Sequence, residues 1–125
     1  MSSPSATPSK YPYLNEPTWS RSEKAIARAA FDAVLKRELR EIMQETKRRA
    51  TQIKEPGDLW ELEPYLTQRR KEIDGKYDFR SSRLTRVFGR LLFERRLTDG
   101  ELRGLSEDKR KTIRSCAKAL SEVDA

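Results

Sequence analysis

No histidine occurs in the 125-residue chain. Its absence removes the commonest general base and metal ligand. A single cysteine, Cys116, excludes an intrachain disulfide and is too little for a zinc site. It falls on the apolar face of a C-terminal helix and reads as a buried structural thiol. A reducing cytoplasm is the simplest compartment for such a chain. No apolar run approaches the ~20 residues that span a bilayer, so integral membrane association is not expected. The N-terminus lacks the charged start and apolar core of a secretory signal. Neither a glycine-rich phosphate loop nor a G-x-S-x-G elbow is present. Carboxylates are plentiful, but Glu72, Asp74 and Asp78 lie among Arg70, Lys71 and Lys76. Such neighbours hold carboxylates ionised and suit ion pairs better than acid catalysis. The chain is therefore expected not to be an enzyme and to need no cofactor or metal.

What the chain has in excess is charge. Charged residues make up 38% of it and hydrophobic residues 35%, so one domain with a modest core and abundant charged helix faces is expected. The net charge of +7 favours an acidic partner, whether protein, nucleic acid or anionic lipid.

Four of the six prolines (Pro4, Pro8, Pro12 and Pro17) fall in residues 1–18. This segment reads as a disordered N-terminal arm, either a plain flexible tail or a docking arm through Tyr11, Tyr13 and Leu14. Ser20-x-x-Glu23 has the spacing of a capping box, and no glycine or proline follows until Pro56. Apolar residues then recur from Ile26 to Ile53 mostly in steps of three and four. A helix over about 20–53 would be roughly 50 Å long. That length overhangs a compact monomer whose radius of gyration is roughly 14 Å. Its apolar stripe must be covered by a second helix, by another copy of the chain, or by both.

Glu55-Pro56-Gly57-Asp58 marks a turn. Asp58 is expected to start the second helix, folded back antiparallel on the first. Pro64 conflicts with one regular helix there, because inside a helix it costs on the order of 3 kcal/mol. Residues 58–62 are therefore expected to form a separate turn or kinked segment, with the regular helix running from near Pro64. Gly75 either ends this helix or is tolerated within it. Leu84, Val87, Phe88, Leu91 and Leu92 predict a third helix. Thr98-x-x-Glu101 is a second capping box, with Leu97 placed to staple against Leu102. Ser106 caps a last helix whose core face is Ile113, Cys116, Ala117 and Leu120. The fold class is all-α: a long antiparallel hairpin, able to pair with a second copy as a four-helix dimer, plus a small C-terminal helical cap. The divisions are 1–18 for the arm, 19–78 for the hairpin and 79–125 for the cap.

Between residues 80 and 96, six arginines face only Glu94. Arg83, Arg86 and Arg90 share one side of the third helix, away from Leu84, Phe88 and Leu91. Such a stripe grips phosphates or carboxylates, or it is simply a solvated face. No nucleic-acid motif or aromatic platform accompanies it, which disfavours nucleic acid.

The most informative stretch is Asp58 to Asp78, DLWELEPYLTQRRKEIDGKYD. It resembles the fluorescence recovery protein family of cyanobacteria and related bacterial proteins, most specifically in the string EIDGKYD. The resemblance extends from Trp19-Ser20, through Arg37-Glu38-Leu39, to Phe88, Leu91-Leu92 and Asp108-Lys109, about 100 residues in all. It implies an all-α homodimer. The implied partner is the orange carotenoid protein, bound in its activated red form chiefly through that protein's C-terminal domain. Binding would speed return to the orange form and end quenching of phycobilisome fluorescence. The implied location is the cytoplasm, peripheral to the thylakoid-associated phycobilisome.

Under this resemblance Trp60 matches a family tryptophan at the dimer and partner surface, and Arg70 an arginine implicated in activity. The candidate partner surface is Trp60, Glu63 and Arg70, continued by Asp74, Lys76, Tyr77 and Asp78, with Phe88 beyond. The candidate dimer interface is Leu35, Leu39, Ile42, Met43, Leu59, Trp60, Leu62 and Leu66. Trp60 reads equally as a packed dimer residue, and Arg70 as a member of an intersubunit ion pair. Three departures stand out. Glu63-Pro64 replaces a family His-Asp pair, Arg86 replaces a head-region phenylalanine, and Thr112, beside Lys111, replaces a lysine. The alternative is a divergent dimeric relative with another anionic protein or nucleic-acid partner.

Overall fold

The computed structural model describes residues 18–124. The expected arm, with Tyr11, Tyr13 and Leu14, lies outside them apart from Thr18. Five α-helices follow in order: α1 (Arg21–Thr51), α2 (Pro56–Trp60), α3 (Leu62–Lys76), α4 (Leu84–Phe93) and α5 (Glu107–Asp124), with a 3-10 turn at Asp99–Leu102. All regular elements among the described residues are helical, as the periodicity predicts.

The two capping boxes form. Ser20 Oγ accepts from the Glu23 amide at 3.1 Å, and the Ser20 amide donates to Glu23 Oε1 at 3.1 Å. Thr98 and Glu101 make the same reciprocal pair at 3.3 and 3.0 Å. Each satisfies amides that a helix start leaves without partners. Helix α1 runs 31 residues, about 46 Å at the helical rise.

The second limb departs from expectation in its first turn. Asp58 does not cap a helix that begins after it. The helix starts two residues earlier, with Glu55 at the N-cap and Pro56 at the first helical position. Proline suits that site because its missing N–H would have no partner there. Asp58 Oδ2 instead reaches back to the amides of Lys54 and Glu55, both at 3.0 Å. The chain then breaks at Glu61 and restarts as α3 at Leu62, so Pro64 lies in a first turn. There it removes no intrahelical hydrogen bond, and the interior penalty is avoided. Gly75 is tolerated as the last residue but one of α3.

Helix α3 lies antiparallel to α1. Near the turn the Arg49 guanidinium stacks on Tyr65, 3.9 Å from the ring centroid. Farther along, Arg69 and Lys76 both reach Glu38. The chain leaving α3 then sets Tyr77 and Phe79 edge-on against Phe31, at 5.4 and 5.0 Å between ring centroids.

The core sits at the other end of α1. Ala27, Phe31 and Val34 pack with Leu84, Phe88 and Leu91 of α4, with Leu97, Leu102 and Leu105, and with Ile113 of α5. Helices α4 and α5 meet at Gly89, where an added Cβ would stand 2.4 Å from Cys116 Cβ and 3.1 Å from the Ile113 carbonyl. Cys116 is half-buried at that crossing. Buried Glu23 ties the start of α1 to the start of α5, accepting from the Ser106 amide at 2.8 Å and from Lys109 Nζ at 3.2 Å. Burial pushes its carboxyl up, but the Ser106 and Ser20 amides and Lys109 outweigh that and hold it at about 2.

Candidate functional site

Three features of the hairpin bear on recognition: exposed apolar side chains on both limbs, a buried charge node that sets their frame, and a basic cleft between α3 and α4.

The strip runs along both limbs. Leu39 and Met43 stand out from α1, and Leu59, Trp60 and Leu66 from α2 and α3; Trp60 is 66% exposed and Met43 56%. Leu35, Leu39 and Met43 line a shallow, mostly apolar groove on α1. Large apolar side chains left in water along a helical seam are the signature of an interaction surface. Leu35, Ile42 and Leu62 are half-buried beside it.

The node is Glu38, only 1% exposed. Its carboxylate accepts from Lys76 Nζ at 2.8 Å, from Tyr77 Oη at 2.7 Å and from Arg69 at 3.3 Å, with Arg96 Nε at 3.5 Å. Lys76 also binds Glu94 at 2.8 Å, and Arg96 binds Glu94 at 3.0 Å. Arg96 is aimed inward because Arg95 adopts a left-handed φ of 62° that ends α4. Burial pushes the Glu38 carboxyl up. The hydrogen bonds from Lys76 and Tyr77 and the charges of Lys76 and Arg96 more than offset this, leaving it below the ordinary carboxylate range. Burial and the Glu38 hydrogen bond together push the Tyr77 phenol well above its usual value. Glu38 therefore stays ionised and Tyr77 protonated near neutral pH. The node joins α1, α3 and the end of α4 and is suited to holding shape rather than transferring protons.

The cleft has a volume of about 780 Å³ and lies between the C-terminal half of α3 and α4. Lys71, Arg80, Arg83, Arg86 and Arg90 line it. Asp78 at its edge is held at about 2, chiefly by the side-chain and backbone hydrogen bonds from Arg80.

The candidate partner residues divide accordingly. Trp60, Glu63, Arg70 and Asp74 are exposed. Arg70 and Asp74 form a loose pair at 3.7 Å, both largely in solvent, so Arg70 has an ion partner one turn along its own helix. Lys76 and Tyr77 belong to the internal node and Asp78 to the cleft edge. Phe88 is a correction. It is fully buried between α4 and the core, so its ring is not offered to a partner. Its place in the Leu84, Val87, Leu91 register already assigns it to packing.

Sequence reading missed Glu38 as the hub. The available signal was position: Ala27, Phe31, Val34 and Glu38 fall in steps of four, three and four along the buried face of α1. An acid in core register demands buried cationic partners.

Comparisons with known proteins agree on one relationship. A family model described as photoprotection regulator fluorescence recovery protein matches residues 19–117. The fluorescence recovery protein of Synechocystis sp. PCC 6803 is 39% identical over 103 residues, covering 82% of this chain and 94% of that protein. Among solved structures, the Fremyella diplosiphon fluorescence recovery protein aligns with a TM-score of 0.77 at 40% identity, covering 81% of this chain and 99% of that one. The Synechocystis structure gives the same TM-score of 0.77 and coverage at 39% identity.

Proposed function

This chain belongs to the fluorescence recovery protein family of photoprotection regulators, and from that premise we propose that it binds the photoactivated red form of the orange carotenoid protein and accelerates its return to the orange form. Ending phycobilisome fluorescence quenching would be the consequence. The working unit would be a homodimer, the C-terminal domain of the activated carotenoid protein the docking site, and the cytoplasmic face of the thylakoid the place of action.

One observation carries the reading: the strip of Leu39, Met43, Leu59, Trp60 and Leu66 stays exposed on a hairpin otherwise braced by internal ion pairs. A second copy laid across the α1 groove would cover part of it, and the Trp60 and Arg70 end of the limb would meet the partner. Acceleration then needs no bond-making. A rigid surface that binds the compact, reclosing partner more tightly than the open one lowers the barrier between them. The Glu38 node supports this by fixing α3 on α1, so that little ordering cost remains when the partner docks.

Sizing chromatography of mixtures with dark-adapted and with illuminated orange carotenoid protein tests the binding step. A complex with the illuminated form, weakened by Trp60→Ala, is expected. Absence of a complex with either form at micromolar concentrations would count against the proposal.

A further inference from the structure

We propose that the cleft between α3 and α4 is a binding site for a compact, multiply charged phosphate. Most of its lining charges are already paired within the chain. Arg80 is held by Asp78, Arg90 by Glu94, and Arg69 and Lys76 by Glu38. Lys71, Arg83 and Arg86 are the remainder. All three are exposed, line the cleft, and have no carboxylate within ion-pair distance among the described residues. Arg83 contributes to lowering the Asp78 carboxyl without forming a contact pair.

The start of α4 beside them supplies no acidic neighbour. Arg83 is the N-cap of the ten-residue α4, provides no side-chain acceptor there, and is followed by a first turn with no acidic residue. The Arg80 carbonyl accepts from the Arg83 and Leu84 amides at 2.8 and 3.1 Å, so the free charge here is that of the Arg83 and Arg86 side chains, placed where most helices carry an acid. Free guanidiniums lining one cleft suit phosphate, whose oxygens the guanidinium fork engages in pairs. Val87 is the one apolar side chain lining the cleft. No aromatic ring lines the cleft among the described residues, so charge is the feature its ligand must match. The Glu38, Lys76, Glu94 and Arg96 network forms the cleft's inner wall, so the site is built before the ligand arrives.

Titration calorimetry of the full chain with sodium tripolyphosphate tests this without any carotenoid protein, so its outcome is separate from that of the proposed function. Saturable binding at one site per chain is expected, weakening as salt rises. The double variant Arg83→Gln/Arg86→Gln should lose roughly tenfold or more in affinity, as expected for charge-assisted hydrogen bonds. The control Lys111→Gln/Lys118→Gln makes the same charge change on α5 and should lose less than about twofold. Both variants alter exposed side chains, and circular dichroism verifies their folds. Two further arms identify the source. Tripolyphosphate binding without co-sedimentation on phosphatidylglycerol vesicles indicates a soluble anion, whereas Arg83- and Arg86-dependent co-sedimentation indicates a lipid headgroup. Equal losses in the two double variants, non-saturable binding, or tighter Arg83- and Arg86-dependent binding of hexaglutamate would overturn the proposal.

Discussion

Lys76 Nζ lies 2.8 Å from the Glu38 carboxylate, linking residues 38 positions apart across the hairpin. This contact fixes the register of α3 on α1. Removing one member of a buried pair leaves the other charge uncompensated, which costs roughly 3–5 kcal/mol. Glu38→Gln is therefore expected to lower the urea unfolding free energy by about that much. Glu38→Gln combined with Lys76→Met should recover part of the loss. Equal stability of the wild type and Glu38→Gln would remove the node from the architecture.

The buried acids also set a pH window. Glu23 is held at about 2 in the folded chain against an ordinary 4.5. A carboxyl depressed by folding contributes its full stability above its unfolded value and loses it as pH falls through the folded value. Glu38 acts with the same sign. Stability is thus expected to decline between about pH 4.5 and 2, and Glu23→Gln should flatten part of that decline. Denaturant midpoints measured across this range would reveal it; a wild type with no acid-side loss would contradict it.

Phe88 separates packing from recognition. Its ring is fully buried, so Phe88→Ala should open a cavity and cost about 3–5 kcal/mol of unfolding free energy. Arg86, two residues away and exposed, should tolerate glutamine within about 0.5 kcal/mol. Chemical denaturation of the two variants distinguishes the roles. A Phe88→Ala chain as stable as the wild type would return that ring to the list of surface residues.

Gly89 lies where α4 packs directly against α5. Gly89→Ala places a methyl 2.4 Å from Cys116 Cβ and against the Ile113 carbonyl. Overpacking of this kind costs typically 1–3 kcal/mol. A lowered melting temperature is expected, partly restored by Cys116→Gly, which removes the opposing Cβ.

Self-association should depend on the exposed strip. Met43→Glu places a charge in the α1 groove and is expected to shift sedimentation toward the monomer while leaving the helical content unchanged. Unaltered sedimentation would take that groove out of the interface.

Much of the helical architecture was legible in the residues. Ser20 and Glu23, and Thr98 and Glu101, announce their helix starts because capping is a local interaction between neighbouring residues. Asp58 misled because an acid three residues into a helix and an acid at its cap look alike; only Pro56 distinguishes them, by favouring the first helical position. The break at Glu61, which spares Pro64 its penalty, was anticipated in kind but not in register. Glu38 and Arg96 were not legible as partners. They are 58 positions apart, and their meeting depends on how α4 ends at Arg95. For the candidate site, exposed Trp60 and Arg70 suit a docking surface, whereas Lys76 and Tyr77 serve the chain's own interior.

The most direct measurement is the dark recovery of photoactivated orange carotenoid protein, followed by absorbance at increasing concentrations of this chain. A recovery rate that climbs with concentration and then saturates is expected, with Trp60→Ala slowing it while its own fold stability changes by no more than about 0.5 kcal/mol. A recovery trace unchanged by excess folded protein would contradict the proposed function outright.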